Sequence, residues 1–283
     1  MLTNLSAHDL ENEAIKFWNL SNLKEARMYH NLARKLAPEA DWIRYNDVWF
    51  LEPDFRVTKD SVEENKKVNS IYKNCKISVI VISYARPEGA MRIASTARVT
   101  ATRPELVEIL ICTDESDPLL ERYKVLPELS INIIKEHRST DKWNYLYKKS
   151  TGEIIVMMCD DVIFESWGWD EVLRNIWPED GNAVMFSDDN NGKEILEFPI
   201  ISRKMADTLG YCAYPRLDHA GLDAFWALSG NIMKRLYYLA DVWRTRHQHY
   251  EVNIVHNRGT RPKLNIVKDY FVDIEKETKK LIT

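Results

Sequence analysis

Four short, largely apolar runs recur along this chain, Ile77–Ile82, Val107–Cys112, Ile131–Lys135 and Ile154–Met158. A strand with one wet face alternates apolar and polar residues, whereas a run without alternation predicts a strand covered on both faces, as in a parallel sheet. Helical signals fall between the runs. Pro87, well tolerated in a first turn, starts a helix that runs to about Ala101. Ser139-Thr140-Asp141 is a helix-capping cluster, and Trp143, Leu146 and Tyr147 then share one face. Strand, helix, strand, helix at this rhythm predicts a three-layer α/β domain around a mostly parallel sheet.

In such sheets ligands gather beyond the carboxyl ends of the strands. Three of the runs end in polar clusters, at Ser83 to Arg86, Thr113 to Asp117 and Asp160-Asp161. Their convergence marks the candidate site. No G-x-G-x-x-G follows the first run and no glycine- and lysine-bearing phosphate loop occurs anywhere, which argues against dinucleotide binding and nucleotidyl transfer.

The remainder is organised around that domain. Residues 1–75 read as a helical hairpin and a connector. Leu10, Ala14, Phe17 and Trp18 form one apolar stripe; Leu23, Ala26, Tyr29, Leu32, Ala33 and Leu36 form the next, which Pro38 ends. The order Trp18, Ala26, Tyr29, Ala33, Pro38 resembles a single tetratricopeptide unit, and one unit cannot build a solenoid. The hairpin is therefore expected as an appendage to a main domain over 76–257, with a charged tail over 258–283. Leu236–Val242 is predicted as a late strand, and a helix over about Leu222–Met233. Charged residues are 29% of the chain and hydrophobic ones 45%, a balance unlike that of a disordered or low-complexity polypeptide. Residues 77–243 carry an acidic excess and residues 244–283 a basic one, in which Arg244, Arg246, Arg258, Arg261, Lys263 and Lys268 interleave with Trp243, Tyr250 and His256. The four cysteines show no C-x-x-C spacing and are expected as free thiols. With neither an apolar run long enough to span a bilayer nor a signal-peptide start, a soluble, cytoplasmic protein is expected.

Ser78-Val79-Ile80-Val81-Ile82-Ser83-Tyr84-Ala85-Arg86-Pro87-Glu88 resembles the opening of the large inverting glycosyltransferase family with the GT-A fold. Glu108 to Ser116 is similar to that family's second strand and acidic turn. Ser150 to Asp161 is similar to the Gly-Glu strand that leads into its DXD motif, and Trp167-Gly168-Trp169-Asp170 to the continuation. The resemblance covers roughly residues 77–257. It implies transfer of a sugar from a nucleotide-sugar donor, with a UDP-sugar expected, to an acceptor hydroxyl with inversion, assisted by Mn2+ or Mg2+.

The resemblance also assigns residues. In Cys159-Asp160-Asp161 the first acidic position of the motif has become Cys if Asp161 is its last. Asp161 is then the expected metal ligand, with Asp160 reaching sugar or ribose hydroxyls; Asp160 as ligand is the alternative. Asp114 corresponds to the residue that accepts a hydrogen bond from the nucleobase, or is a turn cap. Ser83 and Tyr84 lie near base and ribose, Arg86 pairs with phosphate or with a turn carboxylate, and Lys142 and Asn144 are expected to face the donor. Asp223, in the first turn of a helix, is the candidate general base, with Asp218 its rival. A histidine after the late strand would complete the metal site, His247 rather than His249. The acceptor is a saccharide, a lipid or a protein; a hydroxymethylated base in DNA is the alternative that the basic tail raises. A non-catalytic nucleotide-sugar-binding module is a further alternative, raised by Cys159.

Overall fold

The computed structural model describes residues 5–20, 22–38, 40, 50, 52–65, 71–126, 129–189, 196–217, 221–248 and 264–282, with side chains of the last helix described from Asp273 onward. Among the described residues ten strands occur in chain order: β1 Phe55–Arg56, β2 Ile77–Ile82, β3 Val107–Asp114, β4 Ser130–Ile134, β5 Ile154–Cys159, β6 Val162–Phe164, β7 Val184–Phe186, β8 Ile200–Ser202, β9 Leu236–Tyr238 and β10 Thr245–His247. Eight form one sheet in the order β1-β9-β7-β8-β5-β2-β3-β4, and β10 pairs with β6 in a separate ribbon. Within the large sheet only β8 runs against its neighbours.

Both faces of the sheet are covered, which is why the strand sequences do not alternate. Along β2 every residue is buried. Ile77, Val79 and Val81 pack with Ile93, Ala97, Trp169 and Trp243 on one side, while Ile80 and Ile82 pack with Trp143, Leu146, Phe225 and Trp226 on the other. The helices Pro87–Thr100 and Trp169–Ile176 thus lie on one face and Ser139–Lys149 and Leu222–Met233 on the opposite one, giving the three layers.

The end of the sheet remote from the polar strand termini is tied by a buried charge network. Arg174, fully buried, donates to Asp170 at 2.6 Å, to the Cys75 carbonyl at 3.0 Å and to the Leu106 carbonyl at 3.3 Å. Asp170 in turn accepts from the backbone N–H groups of Thr102 at 2.7 Å and Arg103 at 2.9 Å. One helix is thereby stitched to the segments that lead into β2 and β3.

The N-terminal helices Ala7–Asn19 and Leu23–Leu36 form the expected hairpin. Ser6 and Asp9 make a capping box that satisfies backbone donors at its start. Inside, His30 Nδ1 lies 2.8 Å from Glu11 Oε2 and its ring stacks on Phe50 at 4.5 Å, so the two buried polar side chains partner one another.

Three features depart from the sequence expectations. The connector is part of the body: β1 pairs with β9, and Val57, Val62 and Tyr72 belong to the main core. The late strand stops at Tyr238, because the Val242 and Trp243 N–H groups both return to the Leu239 carbonyl and turn the chain. It resumes as β10. The tail, from Leu264, is a helix docked on the body, with Ile274 and Leu281 in the second core and Thr278 bonded to Ser229 at 2.9 Å. The four cysteines are free, and no helix among the described residues is long and apolar enough to cross a membrane.

Candidate functional site

The turn after β2 is built by its neighbours. Ser83 Oγ donates to Asp160 Oδ2 at 2.6 Å and meets the buried Tyr123 hydroxyl at 2.5 Å. Ala85 then takes a left-handed backbone, φ 56°, a conformation costly for a residue with a Cβ. Two bonds hold it: Ala85 N–H donates to Asp117 Oδ2 at 2.8 Å, and Arg86 N–H donates to Tyr123 at 2.9 Å. The strained turn aims Arg86 at the end of β5, where Nη1 donates to Asp160 Oδ1 at 3.1 Å and Asp161 Oδ2 at 3.0 Å.

Gly89 permits this close approach. A Cβ there would lie 2.5 Å from the Asp160 carbonyl oxygen, which no flexible side chain could relieve. Gly89→Ala is therefore expected to push the helix off the strand end, costing about 1–3 kcal/mol. Chemical denaturation should show the lowered midpoint, and an unchanged midpoint would show that the helix and the strand end can part without cost.

At the same rim the ribbon delivers His247. Its N–H donates to the Asp189 carbonyl at 3.2 Å, Gln248 N–H donates to the Asp161 carbonyl at 2.8 Å, and β10 pairs His247 with Val162. The imidazole lies between two carboxylates, Nδ1 2.7 Å from Glu197 Oε2 and Nε2 3.4 Å from Asp161 Oδ1. One potential ligand atom from each of Asp189, Glu197 and His247 falls within 4.8 Å of the others. Asp161 Oδ1 is buried and accepts no hydrogen bond from the described residues.

These environments separate the charges. Burial pushes the Asp160 carboxyl up to about 6 despite Arg86 and Ser83. Burial acts upward on Asp161 as well, but His247 and then Arg86 outweigh it and hold that carboxyl at about 2. Burial would lower His247, yet the Asp161 and Glu197 carboxylates lift it to about 10. Asp161 and His247 thus pair as anion and cation, and a metal ion bound between their facing atoms would take the place of the imidazolium proton at Nε2. The set fits a divalent ion of intermediate softness: an oxygen with an unfilled lone pair, an imidazole and further carboxylates. Cys159 is a poor ligand, because burial raises its thiol well above the ordinary value.

The second cluster lies at the end of β3. Asp114 is buried, with Oδ2 accepting from Lys142 at 2.6 Å and Oδ1 from the Ser116 N–H at 3.0 Å. His137 Nδ1 stands 3.3 Å from Oδ1. Although burial works the other way, the bonds from Lys142 and Ser116 hold the Asp114 carboxyl below its usual range. The Lys142 ammonium also lies 5.4 Å from the centre of the Tyr84 ring, which is half exposed. Tyr84, Lys142 and His137 are consequently presented on a common anchor. Asn144, expected to face a donor, is used otherwise: its amide accepts from the Cys212 and Ala213 N–H groups, both at 3.0 Å, and donates to the Ala213 carbonyl at 2.6 Å.

Asp223 occupies the first turn of Leu222–Met233, its Oδ1 accepting from Ala224 N–H at 2.8 Å and Gly221 N–H at 3.1 Å. Burial raises its carboxyl to about 6, and the Glu197 charge adds to the rise. The Glu197 charge thus acts on both Asp223 and His247, and its carboxylate touches the latter.

Of the basic residues expected to meet anions, Arg244 lies 3.7 Å from Asp188 and Arg246 2.9 Å from Glu165. Asp218, His249, Tyr250, His256, Arg258, Arg261 and Lys263, and the side chain of Lys268, lie outside the described residues. Sequence reasoning overlooked Glu197, Asp189 and Tyr123, while Asp117 stood in the Thr113 to Asp117 cluster without a role of its own. Only Asp189 left a signal, since Ser187-Asp188-Asp189 is one more polar cluster at a strand end.

This is an α/β fold of the Rossmann-like type seen in glycosyltransferases, with its polar groups on the carboxyl rim of the sheet. Among solved structures it is similar to the mannosyltransferase PcManGT from Pyrobaculum calidifontis in complex with GDP-Man and Mn2+, with a TM-score of 0.50 and 15% identity over 88% of this chain and 70% of that one. S. aureus TarS 1–349 in complex with UDP gives a TM-score of 0.46 and 14% identity, covering 59% of each chain. No family model and no curated protein matches the sequence.

Proposed function

We propose that this chain is a divalent-cation-dependent glycosyltransferase that moves a sugar from a nucleotide-sugar donor to an acceptor hydroxyl with inversion. The observation that carries this reading is the buried, unfilled Asp161 Oδ1 facing His247 at the sheet's carboxyl rim. The GDP-Man and Mn2+ held by the similar mannosyltransferase support it.

Asp161 and His247 would hold the cation. Bound there, it would offset the negative charge that grows on the departing diphosphate. Asp160 does not compete for that role, since its two oxygens receive Ser83 and Arg86 and brace the turn after β2. Arg86 neutralises the paired carboxylates and stands ready to meet phosphate oxygens. Tyr84 and Lys142, anchored by Asp114, offer a ring face and an ammonium to the nucleoside. Asp223 would take the proton of the acceptor hydroxyl as that oxygen attacks the anomeric carbon from the side opposite the leaving diphosphate. A carboxyl with a pKa of about 6 is ionised at neutral pH yet basic enough for that transfer.

The test is titration of GDP- and UDP-sugars by calorimetry with and without Mn2+, scored alongside nucleotide diphosphate release. Metal-dependent binding and turnover are expected. Binding without turnover on any acceptor would favour a binding module; no binding under either condition would end the proposal. Loss of an outer partner alone typically weakens metal affinity about 10–100-fold, so Asp161→Ala should weaken Mn2+-dependent donor binding by about 100-fold or more.

A further inference from the structure

We infer that Glu197 is the positioning residue of the cation site, fixing His247 through its Nδ1 so that Nε2 and Asp161 Oδ1 stand together as ligands. This rests on the cation-dependent reading above and adds to it a residue with no motif to announce it.

The two ring nitrogens lie on opposite edges of an imidazole, and the hydrogen bond made by one sets the role of the other. Here Glu197 Oε2 lies 2.7 Å from Nδ1, which places the donated proton on that edge and turns Nε2 toward β5. Nε2 then lies 3.4 Å from the Asp161 oxygen, which is buried and accepts no hydrogen bond from the described residues. Ligand atoms bound to one ion at about 2.0–2.2 Å and separated by a tetrahedral or octahedral angle stand about 3–3.5 Å apart, and the observed spacing of 3.4 Å falls in that range. The ring has little freedom to turn away. Phe198, next to Glu197, packs edge-on against it at 5.2 Å, and the His247 backbone is tied to the Asp189 carbonyl at 3.2 Å. A carboxylate, a histidine and a metal position in this order form the arrangement in which an outer carboxylate raises ligand basicity and fixes orientation.

The parent protein, Glu197→Met, Glu197→Gln and His247→Ala are compared with Mn2+ alone as the probe. Continuous-wave electron paramagnetic resonance reads affinity, pulsed measurements read coupling to a ligating nitrogen, and circular dichroism melting checks that each variant is folded. Met matches the length of Glu, and its thioether is at most a weak, uncharged acceptor. Glu197→Met should therefore lower Mn2+ affinity about 10–100-fold and lose the nitrogen coupling. The Gln amide oxygen can still accept from Nδ1–H, so Glu197→Gln should recover most of both. Unchanged affinity and nitrogen coupling in Glu197→Met overturns the positioning role and leaves the cation reading standing. Loss of Mn2+ in both Glu197 variants but not in His247→Ala also overturns it, and makes Glu197 a ligand. A parent protein that takes up no Mn2+ overturns the cation reading itself and this inference with it.

Discussion

Asp223→Asn is expected to lower the transfer rate about 100- to 10,000-fold while leaving donor affinity unchanged, the range that removal of a general base produces. The substitution is informative because it spares the fold. Asp223 Oδ1 accepts from the Gly221 and Ala224 N–H groups, and an Asn oxygen can accept the same two bonds. What disappears is the capacity to take a proton. Steady-state rates with a saturating acceptor, set beside calorimetric donor binding, separate the two effects. Transfer within a few-fold of the parent would remove Asp223 as the base and move attention to Glu197, whose charge reaches the same place.

The largest effect on stability is expected far from that chemistry. Asp170→Ala leaves the fully buried Arg174 without its closest carboxylate, and breaking a buried pair in this way costs about 3–5 kcal/mol. The loss is not confined to one ion pair, because Asp170 also receives the Thr102 and Arg103 N–H groups. Urea denaturation monitored by tryptophan fluorescence should show the shift in midpoint. The pH dependence carries a definite sign. Burial alone would raise the Asp170 carboxyl, but the Thr102, Arg103 and Arg174 bonds together lower it below 3.8. A carboxyl depressed in the folded state contributes fully above its unfolded value and loses that contribution as pH falls through the folded one. The stability gap between the parent and Asp170→Asn should therefore be wide at neutral pH and narrow in strong acid. A constant gap would show that the carboxylate charge does not matter there.

Much of the architecture is legible residue by residue. The unbroken apolar runs at Ile77, Val107 and Ile154 are buried strands because helices cover both sides of the sheet, the one condition that removes alternation. The helix Leu222–Met233 matches its expected span, and the polar strand ends do meet at one rim. The short strands β6, β7, β8 and β10 were less visible, since three residues are too few to display a period. Asn144 misled for another reason: its neighbour Lys142 faces the rim cluster, while its own side chain is claimed by the backbone at Cys212 and Ala213.

The sequence alone determined the layer order, the carboxyl-rim position of Ser83, Asp114, Asp160 and Asp161, and the chemistry those side chains offer, because period, strand length and residue type are local properties. The tertiary structure alone decided that Asp161 rather than Asp160 keeps an unfilled oxygen. It also decided that His247 arrives on a ribbon from beyond the sheet and that Glu197 holds its far edge. Those outcomes depend on which groups meet across long separations in the chain, and hydrogen bonds at such distances are set by packing, which no local pattern encodes.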